Sequence, residues 1–178
     1  MKRILVVTND SAVFLVDRIG SAFEMFGGRM TEVKRLVARL AAAEDDGRKA
    51  CDVSFGVISS RFGFVPGNYV LMRYDGVMSC KEDYERVQAE KDYLGQLNAV
   101  SVLFDLIVVC VPKDMFAMVI DGDVLPQGKV VAITAPELES KCKERGWTFL
   151  ERRGARVGNE NADKVFEIIR AVGRDASS

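Results

Sequence analysis

Four short runs of branched aliphatic and aromatic residues, Ile4–Val7, Val53–Ile58, Leu106–Val111 and Val130–Ile133, are separated by stretches whose apolar residues recur at helical spacing. Strands that are apolar at consecutive positions are buried on both faces, which requires helices above and below a mostly parallel sheet. Strand and helix alternating along a chain connect such a sheet through crossovers. The pattern predicts an α/β fold: a three-layer α/β/α arrangement with a mainly parallel sheet of about five strands, the last at Trp147–Leu150. Leu106–Val111 is the most apolar run and belongs at the sheet centre. The reading is one α/β domain over residues 1–174, with 175–178 as a frayed tail.

Between the strands, Val16, Ile19, Phe23 and Phe26 predict a first helix stopped by Gly27-Gly28, and Val33, Leu36, Val37 and Leu40 a second. Ser79-x-x-Glu82 has the form of a capping box. A helix is therefore expected from near Cys80 to about Phe104, with Gly95 as its weak point. Beyond Ser59, Gly63 and Pro66-Gly67 are expected to prevent a regular continuation of the strand.

Composition narrows the chemistry. The chain has no histidine, which removes Ser-His-Asp relays, Cys-His pairs and histidine metal sites. Its four cysteines, Cys51, Cys80, Cys110 and Cys142, form no C-x-x-C pair and predict a reduced, cytoplasmic chain without a zinc signature. The formal charge of −1 argues against an overall nucleic-acid coat while leaving local basic patches open. MKRILVV passes directly into TNDS and reads as a strand rather than a signal peptide, and no apolar run is long enough to span a bilayer.

In a parallel sheet the loops after the strands gather at one edge, where ligands bind. This pools Thr8, Asn9 and Asp10 with Ser59, Ser60, Arg61, Phe62 and Gly63, with Tyr74 and Asp75, and with Arg153 and Arg156. The loop from Ser59 to Asp75 is long enough to be functional, or it simply covers core with Phe62, Phe64 and Tyr69. The arginines of RRGARVG suit an anion or a solvated turn; the run lacks the spacing of a P-loop, and the chain has no G-x-G-x-x-G. Asp10 and Asp75 are the candidate catalytic carboxylates, and either would also serve as a cap.

Glu24-Met25-Phe26-Gly27-Gly28, Ile58 to Val65 and Arg73-Tyr74-Asp75 stand in the order of three elements of YaaA-like proteins and of domains attached to deazaguanine-modifying nucleic-acid enzymes. The chain resembles that family over its first half. The resemblance implies a sheet similar to that of uracil-DNA glycosylases and a link to nucleobase or nucleic-acid metabolism, without implying glycosylase activity. Thr8-Asn9-Asp10-Ser11 departs from the cysteine and lysines common there in the family. Ile4 to Asp10 is also similar to the opening of SurE-type nucleotidases, but Ser11 replaces their second metal-binding aspartate.

The functional expectation is a nucleotide, nucleobase or nucleic-acid end bound at the sheet's carboxyl edge. Ser59, Ser60 and Arg61 would contact its polar part, Phe62 or Tyr74 would offer an apolar surface, and Asp10 or Asp75 would orient or deprotonate a group. The alternatives are a nucleotide or base hydrolase or transferase, and a subunit docking through the apolar loop from Phe62 to Met72, with self-association included. No cofactor is specified by the sequence.

Overall fold

The computed structural model describes residues 1–175. A six-stranded sheet organises the chain, built from β1 (Lys2–Asn9), β5 (Cys51–Ser59), β6 (Gly63–Pro66), β8 (Leu106–Cys110), β9 (Val130–Thr134) and β10 (Thr148–Glu151). The order is β10-β9-β8-β1-β5-β6, with every pair parallel except the edge hairpin β5–β6.

Alternation along the strands sorts the core into two layers. Ile4, Val6, Val57, Val108 and Ile133 face α2 (Thr31–Ala41) and α7 (Asn159–Asp175), whose Val33, Leu36, Val165 and Ile169 cover them. Leu5, Val7, Ile58, Ile107 and Val109 face the other layer, α3 (Lys81–Lys91), α4 (Tyr93–Ser101) and α5 (Lys113–Asp121), through Val87, Leu97 and Phe116. The short α6 (Glu139–Glu144) adds Cys142 to this second layer, entered through the turn Pro136–Leu138. Each buried aliphatic side chain contributes roughly 1.5–3 kcal/mol, which is why β1, apolar on both faces, lies inside the sheet.

Several local expectations give way to other packing. No helix spans Val16 to Phe26; only α1 (Ala22–Met25) is helical. Ile19 is 56 % exposed, so the helical spacing has no face to bury, and β2 (Gly20–Ser21) pairs instead with β7 (Val70–Leu71). The charged turn at residues 44–49 is a small hairpin of β3 (Glu44–Asp45) and β4 (Arg48–Lys49).

The expected single helix after Cys80 is two helices broken at Asp92, which is left-handed and caps α4 through the Gly95 amide. A Cβ on Gly95 would lie 2.2 Å from the Asp92 carboxylate, so Gly95 permits the cap and the break falls three residues earlier. The capping box is shifted too: Asp83, not Glu82, accepts from the Ser79 amide and hydroxyl. β5 does end at Ser59, and after a turn the chain reverses into the short antiparallel β6, where Pro66 stands at the end of an edge strand and its missing donor is harmless. The expected tail lies outside the described residues except for Asp175, the last residue of α7. Among the described residues no helix is long and apolar enough to cross a membrane.

Candidate functional site

Taken in chain order, the five parallel strands are arranged 2-1-3-4-5. Neighbouring β1 and β8 send their following segments to opposite faces, towards α2 and α5, and leave a crevice beyond their carboxyl ends. A cleft of about 520 Å³ occupies this position. Residues 9–13 line it from the end of β1, Pro112 from the end of β8, and residues 28–29, 77–79, Tyr84, Arg152 and Arg156 close its sides.

Asp10 is buried there, 1 % exposed. Its Oδ2 accepts from the Ser60 amide at 2.8 Å and the Tyr74 hydroxyl at 3.0 Å. Ser59 Oγ lies 2.8 Å from the Tyr74 oxygen and accepts from the amides of Arg61 and Phe62, both at 3.2 Å. Because Tyr74 donates to Asp10, the Ser59 hydroxyl is the donor to Tyr74. Among the described residues Asp10 Oδ1 has no partner, and neither does the buried Oδ1 of the adjacent Asn9. Burial raises the Asp10 carboxyl above its ordinary value despite the opposing pull of the Ser60 amide, Tyr74 and Arg156. Burial, with the nearby Asp10 charge, also raises the Tyr74 phenol and keeps it a donor.

Arg156 is 6 % exposed and turned inward. Its Nη1 donates to Thr8 Oγ1 at 2.8 Å and to the Asn9 carbonyl, and its Nη2 donates to the Asp10 carbonyl at 2.8 Å. Thr8 in turn donates to the Cys110 carbonyl at 2.9 Å, tying the end of β1 to β8. Burial pushes Arg156 down to about 10, so it remains charged at neutral pH.

The loop carrying Arg156 is held by a residue of α2. Glu32 Oε2 accepts from the amides of Arg156, Val157 and Gly158, and Oε1 from that of Ala155. Partial burial would raise Glu32, but these amides outweigh it and hold the carboxylate below its ordinary value. A Cβ on Gly154 would stand 2.6 Å from Glu32 Oε1, so the glycine is needed for this approach. The loop is an anion nest, as its glycines and arginines suggest, and Glu32 fills it from within.

The sequence-predicted residues therefore divide. Thr8, Asn9, Asp10, Ser59, Ser60, Tyr74 and Arg156 come together. Phe62 packs edge-on against Tyr74 with ring centres 5.8 Å apart, and Gly63 opens β6 beside Gln96. Arg61 and Asp75 line a second, open hollow with Ile19, Val70, Met72 and Arg73, so the two candidate carboxylates do not share a site. Arg153 is exposed and pairs with Glu151 at 3.4 Å. Arg156 does reach the cleft, but its guanidinium is committed to the chain's own oxygens.

Sequence reasoning missed Arg29 and Glu32. Arg29 follows Gly27-Gly28, where the pattern signals only a helix stop, and Glu32 stands outside the apolar stripe Val33, Leu36, Val37 and Leu40, the position of an ordinary solvated charge. Besides Arg156, the cleft is lined by Arg29 and Arg152, and neither has a carboxylate within ion-pairing distance among the described residues. Among the described residues no group of three or more His, Cys, Asp or Glu is placed to hold a metal ion. The chain matches no family model, no curated protein and no solved structure.

Proposed function

We propose that the chain binds a nucleotide, nucleobase or nucleic-acid end in the cleft beyond β1 and β8, with the anionic part towards Arg29 and Arg152. One observation carries the reading: a cleft of ligand size stands at the switch point of the sheet, and Asn9 and Asp10 among its lining residues each keep a buried oxygen without a hydrogen-bond partner among the described residues. Buried polar atoms without partners are uncommon and mark functional positions. Arg29 and Arg152 in the same lining, without an ion-pair partner among the described residues, supply the attraction for phosphate.

The resemblance to YaaA-like proteins supports the same reading. The three segments that carry it meet in space, since Tyr74 bonds Ser59 and stacks edge-on with Phe26 at 6.2 Å. We propose the relationship on that basis. Calorimetric titration with nucleotides and short oligonucleotides tests the function: binding that weakens with salt and is lost in Arg29→Glu with Arg152→Glu is expected. Absence of binding across the panel would remove the proposal.

A second reading is a nucleotide or base hydrolase or transferase. It is favoured by the raised carboxyl of Asp10, the property of a proton-transfer group. Turnover in a substrate screen that disappears in Asp10→Asn and persists in Asp75→Asn distinguishes it from binding alone.

A further inference from the structure

A ligand in the cleft would not meet Asn9 Oδ1 or Asp10 Oδ1, because both oxygens are closed off from solvent. Other polar atoms of the same lining are open. Asn9 Nδ2 and the Tyr84 hydroxyl make no hydrogen bond among the described residues and, unlike those oxygens, keep contact with solvent. The Ser11 hydroxyl accepts from the Val13 amide at 3.3 Å, which leaves its own hydrogen unused. Together with Arg29 and Arg152, these lining side chains have hydrogens to donate and no acceptor among the described residues.

Charge points the same way. Three arginines line the cleft against one carboxylate, Asp10, whose Oδ2 is already taken by the Ser60 amide and the Tyr74 hydroxyl. The rest of the lining has little with which to tell one base from another. Ala12, Val13, Val77 and Met78 carry no side-chain nitrogen or oxygen, and the ring of Tyr84, a residue 6 % exposed, is too covered to serve as a stacking face.

From this imbalance we infer that the cleft recognises a terminal phosphate, held by Arg29, Arg152, Asn9 Nδ2 and the Ser11 and Tyr84 hydroxyls, and does not read the base attached to it. The inference rests on the proposed nucleotide binding and deepens it by naming the recognised group. A phosphomonoester carries roughly two negative charges and three acceptor oxygens, whereas an internal diester carries roughly one charge on two free oxygens. The surplus of donors suits the monoester. The floor of the cleft is formed by the ends of β1 and β8, which admits the end of a strand rather than its middle. A free nucleotide and a nucleic-acid terminus both present this group, and the same side chains would take either.

Calorimetry at neutral pH with the 5′-monophosphates of adenosine, guanosine, cytidine and uridine, and with the four unphosphorylated nucleosides, separates the two contributions. Removing the phosphate is expected to weaken binding by about tenfold or more, and exchanging the base to change it by less than about tenfold. The Tyr84 hydroxyl supports no other group, so the double variant Ser11→Ala with Tyr84→Phe is expected to fold, as judged by circular dichroism, and to shrink the effect of the phosphate by at least about threefold. If any of these three expectations fails, the inference is overturned while nucleotide binding stands. A tetranucleotide with and without a 5′-phosphate then assigns the source. Tighter binding of the phosphorylated strand than of the monophosphates supports a nucleic-acid end, tighter binding of the monophosphates supports a free nucleotide, and a strand that binds equally well without its terminal phosphate overturns the inference. Failure of every ligand to bind overturns the binding reading and the inference together.

Discussion

Two hollows open among the loops pooled from the sequence, and they are opposites. The cleft beyond β1 and β8 has exposed Arg29 and Ser79 in its lining together with buried Asn9, Asp10 and Arg156, which belong to a hydrogen-bond network that, among the described residues, leaves two of their oxygens without a partner. The hollow beside β7 is lined by exposed Arg61, Asp75, Val70 and Met72, groups that water already serves. Size does not separate the two, since the second, at about 690 Å³, is the larger. The difference lies in what folding leaves unsatisfied. An exposed arginine and aspartate give up little on folding, whereas a buried carboxylate with a free oxygen persists against its desolvation cost and calls for a partner.

The largest effect that sharpens this contrast is expected from Arg156→Ala. Removing the fork strips a compensating charge from Asp10 and donors from three buried oxygens, a loss of about 3–5 kcal/mol. Urea denaturation measures it, and a loss below about 1 kcal/mol would mean that the network is not the support of the cleft. Glu32→Ala should follow at about 2–3 kcal/mol, because the amides of the Arg156 loop lose a charged acceptor. It should also weaken ligand binding without touching the ligand, since the loop positions Arg156.

The two carboxylates must respond to pH in opposite directions. Asp10 is raised in the folded protein, so between its unfolded and folded values the native state holds the extra proton. Its contribution to stability therefore falls as pH rises through that window. Glu32 is lowered, so its contribution is present above the unfolded value and is lost as pH falls through the folded one. Denaturation midpoints across the acid range check this: Asp10→Asn should remove the first dependence and Glu32→Gln the second. The smallest effects belong to the other hollow. Arg61→Ala and Asp75→Asn should each alter stability by no more than about 0.5 kcal/mol and leave nucleotide affinity unchanged. A marked loss of affinity in either would break the comparison.

The sequence carried the layers of this fold because the unbroken apolar runs Ile4–Val7 and Leu106–Cys110, buried at every position, are a local signal for a sheet covered on both faces. Strand order was not legible, since it depends on which strands pair across the chain. The switch point, and with it the place of the cleft, followed only from structure. Asp10, Ser59 and Tyr74 could be pooled because each lies just beyond the strands or in their loops. That Tyr74 rather than Asp75 meets Asp10 depends on how residues 72–78 cross the sheet edge. The role of Arg156 was hidden because its partners lie 146 to 148 residues away in the chain. The helix expected over Val16 to Phe26 failed for a related reason: spacing proposes a face, but only tertiary contacts bury it.

The most direct test is amide chemical-shift mapping during titration with adenosine monophosphate. Binding at the switch point predicts perturbations concentrated at Asn9 to Ser11, Arg29, Ser79 and Arg152, with residues 70–73 and Asp75 quiet. Saturable shifts centred instead on Arg61, Val70 to Arg73 and Asp75 would move the site to the open hollow and contradict the account.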